Sequence, residues 1–123
     1  MTKTLYKFCM INTFAILSCS FSHADSLSKA ELDLLIKEDI ATAQVLTEIC
    51  PPLIGDATQV LHHVDTFTQS NLKRLSNPAT TLTDLKQDSE YQMAYKEAKN
   101  DSLSTDQAEQ RQGCEDILHM HSH

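Results

Sequence analysis

Apolar residues recur at helical spacing from Leu32 onward. Leu32, Leu35, Ile36, Ala43, Leu46 and Cys50 fall on one face of an α-helix, and Ile40 and Ile49 widen it. Just ahead, Ser28-Lys29-Ala30-Glu31 has the form of a capping box: the serine hydroxyl takes one free amide and the glutamate reaches back to another. Pro51 biases Cys50 away from helical geometry, so the pattern predicts that the first helix stops there. A second helix is predicted from Asp56-Ala57-Thr58-Gln59, with Val60, Leu61, Val64, Phe67, Leu72 and Leu75 on its apolar face, and Ser76-Asn77-Pro78 ends it. "TLTDLKQD" reads as a single helical turn. Asp88 is placed to cap "SEYQMAYKEAKN", in which Tyr91, Met93, Ala94, Tyr95 and Ala98 are expected to be partly buried. Asp101 to Ser104 reads as a turn. Ser104-Thr105-Asp106-Gln107 then opens a last helix carrying Ala108, Cys114, Ile117 and Leu118.

The pattern contains no sustained β-branched alternation and no repeat. Gly55 and Gly113 are the only glycines, and the prolines are Pro51, Pro52 and Pro78. Glu, Lys, Gln, Leu and Ala, all helix formers, are common. The expected fold is all-α: a small four-helix bundle, or three long helices with shorter ones, in one domain. Short connections should leave neighbouring helices antiparallel.

The N-terminus changes the picture of the working chain. Lys3 and Lys7 precede an apolar run from Phe8 to about Leu17, shorter than the roughly 20 residues a membrane-spanning helix needs. A basic start, a short apolar stretch and then small residues is the pattern of a secretory signal peptide. Two cleavage points compete. Ser22-His23-Ala24 favours a cut after Ala24, giving a signal peptide over residues 1–24 and one helical domain over 25–123 with a flexible tail at 119–123. "ILSC" resembles a lipobox, which would make Cys19 the acylated first residue of an outer-membrane lipoprotein, although Leu17 fits that pattern poorly. The expected location is the periplasm, with no transmembrane segment in the processed chain.

Removing the leader makes the chain more acidic. All 17 acidic residues lie from Asp25 onward, whereas two of the 10 basic ones, Lys3 and Lys7, are lost, so 8 basic and 17 acidic residues leave a net charge of −9. That excludes the basic patch that nucleic acid or anionic lipid requires and points instead to a cationic partner. The four cysteines fall to two, Cys50 and Cys114. In an oxidising compartment the two are expected to pair as a structural disulfide. A redox-active thiol or a metal thiolate is the alternative, and no C-x-x-C is present to favour either.

Candidate chemistry is confined to a few places. "CEDILHMHSH" ends the chain with His119, His121 and His123. If the helix continues, His119 and His123 lie one turn apart on one face, an arrangement that holds divalent metals such as zinc or nickel. Met120 adds a thioether suited to copper, and Glu115 and Asp116 stand close enough in sequence to complete a site. The competing reading is a frayed helix end whose histidines favour the negative pole of the dipole. His62 and His63, adjacent on a helix, point about 100° apart and do not converge; one should face solvent and the other the edge of the core. Glu38-Asp39 and Glu115-Asp116 diverge for the same reason. Asp84 and Asp88 are one turn apart, a common feature of a solvated face. No G-x-S-x-G setting and no glycine-rich phosphate loop occurs. An enzyme is therefore not expected, and no cofactor is required.

Three segments together, "KEDIATAQVLTEICPPLIG", "LSNPATTLTDLKQDSEYQMAYKEA" and "CEDIL", resemble a family of small exported proteins of Gram-negative bacteria classed as a domain of unknown function. The resemblance runs from about Leu27 to Leu118 and implies an exported helical domain with a cysteine pair. It carries no activity, substrate or catalytic residue, and the histidine tail lies beyond it.

The leading functional expectation is a non-catalytic interaction module, such as an inhibitor, immunity or accessory protein, that presents an acidic helical surface. The alternatives are a periplasmic metal-binding protein working through His119, His121 and His123, and an acid-stress chaperone whose histidines and carboxylates change charge as pH falls.

Overall fold

Lys29–Ile49 (α1), Ala57–Leu72 (α3), Ser89–Ser104 (α5) and Gln107–His119 (α6) are the long helices, and Pro51–Ile54 (α2) and Leu82–Leu85 (α4) are single turns. The computed structural model describes residues 26–119, and every regular element among them is helical. This is the expected all-α bundle. No described helix is long and apolar enough to cross a membrane. The leader, the cut sites, Cys19, Met120, His121 and His123 lie outside the described residues.

The helix starts follow local chemistry. Ser28 Oγ accepts from the Glu31 amide at 3.2 Å while Glu31 Oε2 accepts from the Ser28 amide at 2.8 Å, completing the capping box. Thr81 and Asp84 form a second box on α4, and Asp56 caps α3 through the Gln59 amide. Asp88 caps α5 by accepting from the Glu90 and Tyr91 amides, both at 3.0 Å.

Three boundaries differ from the sequence expectation. α3 stops at Leu72, with Lys73 as its C-cap, short of the Ser76-Asn77-Pro78 expected to end it. Cys50 keeps right-handed helical angles (φ −73°, ψ −39°) despite preceding Pro51. It ends α1 by donating to the Leu46 carbonyl and starts α2 by accepting from the Leu53 and Ile54 amides. Pro51 has no amide hydrogen to lose at a first helical position, so the chain bends into a new turn instead of leaving helical geometry. That turn closes at Gly55, whose φ of +71° lies in the left-handed region that glycine adopts without strain. Asp101 to Ser104 are helical and not a turn. The Asp101 carbonyl accepts from the hydroxyls of Ser104 and Thr105, both at 2.8 Å, and the helix stops only where Thr105 becomes extended.

α1 is the helix on which the others are built. α3 runs antiparallel to it: Ser76, beyond the end of α3, donates to Asp33, and Thr68 accepts from Gln44 Nε2 at 3.0 Å. α5 runs parallel to α1, since Lys37 reaches Asp88 and Glu90 while Glu48 reaches Tyr95 and Lys99. The chain thus passes α1 up, α3 down and α5 up, so α3 is antiparallel to α1 and to α5. Two apolar clusters follow one another along α1. The first joins Ile36, Ile40 and Ala41 to Leu72, Leu75, Leu85 and Tyr91. The second joins Ala43 and Cys50 to Val60, Val64 and Cys114, flanked by Leu53, Ile54, Phe67, Ile117 and Leu118. The buried polar side chains of α3 are satisfied: Thr68 by Gln44, and Asn71 by the Phe67 carbonyl and Arg74.

Several expected core positions are exposed. Leu32 and Leu35 are 38% and 43% accessible. Leu32 stands in line with Ile36, but the chain after α3 meets α1 no earlier than Asp33, so the first turn overhangs its neighbours. Leu61 lies a residue off the Val60–Val64–Thr68 stripe, and Met93 is 73% accessible on the outer side of α5. Ala108 is exposed as well.

Cys50 and Cys114 are joined, with Cα atoms 5.4 Å apart, in the centre of the second cluster. The link closes a loop across a sequence separation of 64, which by the chain-entropy relation confers about 4 kcal/mol before strain is deducted. Replacing both cysteines with alanine should cost about 2–4 kcal/mol. Urea unfolding of the variant, and of the native chain with and without reductant, checks this. Reductant should shift the native midpoint and leave that of the variant unmoved.

Candidate functional site

The polar chemistry of the bundle concentrates along the seam between α1 and α5. At one end Lys37 of α1 donates to Asp88 Oδ2 at 2.8 Å and to Glu90 Oε2 at 2.7 Å. Asp88 therefore acts twice, capping α5 with one oxygen and receiving the ammonium with the other. Burial alone would lower the Lys37 pKa, but the hydrogen bonds to the two carboxylates outweigh it and raise it above the ordinary lysine value. The Lys37 contact in turn holds Asp88 below the ordinary aspartate range, helped by the backbone amides it caps.

At the other end Glu48 accepts from Lys99 Nζ at 2.7 Å and from the Tyr95 hydroxyl. These two donors lower the Glu48 pKa. Burial and the Glu48 carboxylate together push Tyr95 up to about 12. Tyr91 and Tyr95, one helical turn apart, stack with ring centroids 6.1 Å apart. Between the two clamps lies an open cleft of about 310 Å³ lined by Gln44, Thr47, Glu48, Lys86, Tyr91, Gln92 and Tyr95. Gln92 is steadied by the Lys86 carbonyl at 2.8 Å. Glu48 stays ionised and Tyr95 stays protonated near neutral pH, so neither is poised to exchange a proton there. The cleft offers tyrosine faces and amide groups, which suit hydrogen bonding and stacking.

Tyr91 is the one fully buried residue of α5, and its hydroxyl has no hydrogen-bond partner among the described residues. Burial raises its pKa. A buried hydroxyl without a partner forfeits about 1–3 kcal/mol relative to a satisfied one.

The residues singled out from sequence fall elsewhere. Cys50 and Cys114 form the covalent link. His119 is the exposed last residue of α6, and its i,i+4 partner His123 lies outside the described residues together with His121. His62 is exposed and His63 half-buried, with rings tilted by 58° and 6.1 Å apart, as their adjacency on a helix requires. α3 and α6 do pack together, yet among the described residues no three histidine, cysteine or carboxylate side chains converge on a metal position. Glu38, Asp39, Glu115 and Asp116 are exposed. Asp84 and Asp88 serve different helices: Asp84 Oδ2 accepts from the Thr81 amide in the capping box of α4, and Asp88 caps α5. Sequence reading missed Lys37, Glu48 and Lys99, whose partners lie about fifty positions away. The helix-start signal at Asp88 and the expected burial of Tyr91 and Tyr95 were the parts of this seam that sequence reading touched.

The sequence model of the family described as Domain of unknown function (DUF7944) matches residues 36–117. This stretch begins at the first core residue of α1 and ends at Ile117 in the second cluster, so it takes in both clusters and both clamps. No curated protein and no solved structure matches the chain.

Two substitutions test the seam. Tyr91→Phe deletes the unpaired hydroxyl and keeps the ring, so stability should stay equal or rise by up to about 1 kcal/mol in urea unfolding. Asp88→Ala removes a helix cap and an ion-pair partner and should cost about 1–2 kcal/mol at pH 7. Because the folded chain depresses the Asp88 pKa, its contribution is complete above the ordinary value of 3.8 and disappears as pH falls through the lower folded value. The stability gap between native and Asp88→Ala should therefore close below that value.

Proposed function

The chain belongs to the DUF7944 family, and we propose that it is an exported, non-catalytic interaction module whose acidic helical surface docks on a cationic protein. The observation that carries this reading is an excess of unpaired carboxylates. Among the described residues only Glu48, Asp88 and Glu90 lie in ion pairs. Most of the rest face solvent or cap helices. α6 presents carboxylates with little compensating charge: Glu109, Glu115 and Asp116 are all exposed, and Arg111 is its only arginine or lysine. Glu109 and Asp116 stand two turns apart on its outer side. The disulfide fixes α6 to the end of α1, so this face meets a partner already ordered and loses little entropy on binding.

Export to the periplasm of a Gram-negative cell is supported by the basic and apolar start of the sequence and by the cysteine pair, which persists in an oxidising compartment. A cut after Ala24 fits this reading, with acylation at Cys19 as the alternative that would leave the same domain on a membrane surface. A role as inhibitor, immunity or accessory protein asks only for such a rigid charged face.

Intact-mass measurement of the protein recovered from cells should give residues 25–123 less two hydrogens. Full-length chain with free thiols would remove the compartment on which this reading stands. A partner captured at low salt should bind about tenfold more weakly to the Glu109→Lys/Asp116→Lys variant, and more weakly to the native chain as salt rises. Capture of no protein at low salt, or binding that ignores both charge reversal and salt, overturns the proposal. Calorimetry with zinc and copper, on the intact chain and on one ending at Leu118, separates it from metal binding through His119, His121 and His123.

A further inference from the structure

We infer that α5 is an acid-released helix: its attachment to α1 depends on three carboxylates, and their protonation frees it while the disulfide and the apolar cluster around it keep α1, α2, α3 and α6 assembled. The inference does not rest on the partner reading, since a chain that binds no protein would open in the same way.

The contrast lies in what holds each helix. α1 and α3 each bury five side chains, whereas α5 buries Tyr91 alone among its 16 residues. That tyrosine brings a hydroxyl with no partner into the core. Ala94 and Tyr95 pack only at the margin of the first cluster, and Met93 and Leu103 point outward. What remains is polar: the ties of α5 to α1 all use carboxylates, and its C-terminal end also accepts from Gln110 of α6 at the Ser102 carbonyl. Asp88 and Glu90 take Lys37 at one end of the seam, and Glu48 takes Tyr95 and Lys99 at the other.

The titratable and charged groups along the seam are Lys37 and Glu48 on α1, Lys86 and Asp88 before α5, and Glu90, Tyr91, Tyr95 and Lys99 on α5. From α3 the nearest contribution is the neutral Thr68, bonded to Gln44. Protonation of Glu48, Asp88 and Glu90 deletes these attractions and leaves Lys37 and Lys99, one at each end of the seam, without the carboxylates that hold them. It also weakens Asp88 as the cap of α5. The other attachments differ. α6 is held by Cys50–Cys114 and an apolar cluster with no ionisable member. α3 meets α1 through apolar residues and the Gln44–Thr68 bond, and its one carboxylate tie, Asp33 to Ser76, sits beyond its end. Release of α5, with α4 beside it, uncovers Ile36, Ile40, Ala41 and Leu85.

Hydrogen exchange on the oxidised protein, read by mass spectrometry at pH 7, 4 and 3 and corrected for intrinsic rates, tests this. Residues 89–104 should lose about tenfold or more of their protection at pH 3, while 57–72 and 107–119 keep theirs, and return to pH 7 should restore the difference. A Glu48→Gln/Asp88→Asn/Glu90→Gln variant retains good capping and hydrogen-bonding side chains, so it isolates the charge. It should show the same selective loss at pH 7 with α3 and α6 still protected. Uniform loss over all helices at pH 3, full protection of α5 at pH 3, or a variant whose α5 is as protected as native at pH 7 overturns the inference.

Discussion

Everything in this fold leans on α1. Among the described helices it makes the most extensive contacts, packing on α5 and on α3 along its length. Its buried set includes two alanines, Ala41 and Ala43, beside Ile36, Ile40 and Val45. Small side chains at these points let neighbouring backbones approach closely, and the isoleucines fill what remains. Because α1 is shared, its two apolar clusters are arranged end to end and not around a common centre. The Gln44–Thr68 hydrogen bond sits where they meet, directly after Ala43 on α1 and between Val64 and Leu72 on α3.

The two clusters are closed by different means. The one at the C-terminal half of α1 is sealed covalently, with Cys50 and Cys114 among its most buried residues. Loop closure of this length is worth about as much as burying two large apolar side chains. The cluster at the N-terminal half is sealed by α4 and α5 through Leu85, Tyr91 and salt-bridged carboxylates. Partly exposed ion pairs contribute about 1 kcal/mol or less each, and their contribution falls with salt and with protonation. The chain therefore has a covalently fixed end and an end whose stability depends on solution conditions.

Local signals in the sequence carried most of the secondary structure. The Ser28 capping box, the caps at Asp56 and Asp88, the single turn at Leu82–Leu85 and the break at Pro51 act within four residues, and the helices begin or break where those residues stand, whereas α3 ends at Leu72 and not at the Ser76-Asn77-Pro78 signal. Periodicity was less informative about what is covered. It assigned Leu32, Leu35, Leu61 and Met93 to the core, because an apolar face states where burial is possible and not where a neighbour ends. Cys50 stayed helical because the amide Pro51 lacks was not needed at the start of a new turn. The α1–α5 seam was almost invisible beforehand. Lys37, Glu48 and Lys99 look like ordinary solvated charges on their own helices, and only the parallel alignment of α1 and α5 brings them together.

Asp88 shows why such a seam is hard to build otherwise. A parallel pair of helices needs its register fixed at a point where the chain has just turned, and the residue before α5 is already committed to capping. A carboxylate can accept the α5 amides with one oxygen and the Lys37 ammonium with the other. Serine or asparagine could cap as well but would not attract the lysine as strongly. The same atom group that starts α5 therefore also sets its position on α1, and Glu48 repeats the device eleven residues along α1 with Tyr95 and Lys99. Coupling helix initiation to docking in one ionisable group makes the register precise at neutral pH. It also means that a single protonation weakens the start signal and the anchor together, leaving Lys37 to Glu90 alone, which separate neutral groups would not allow.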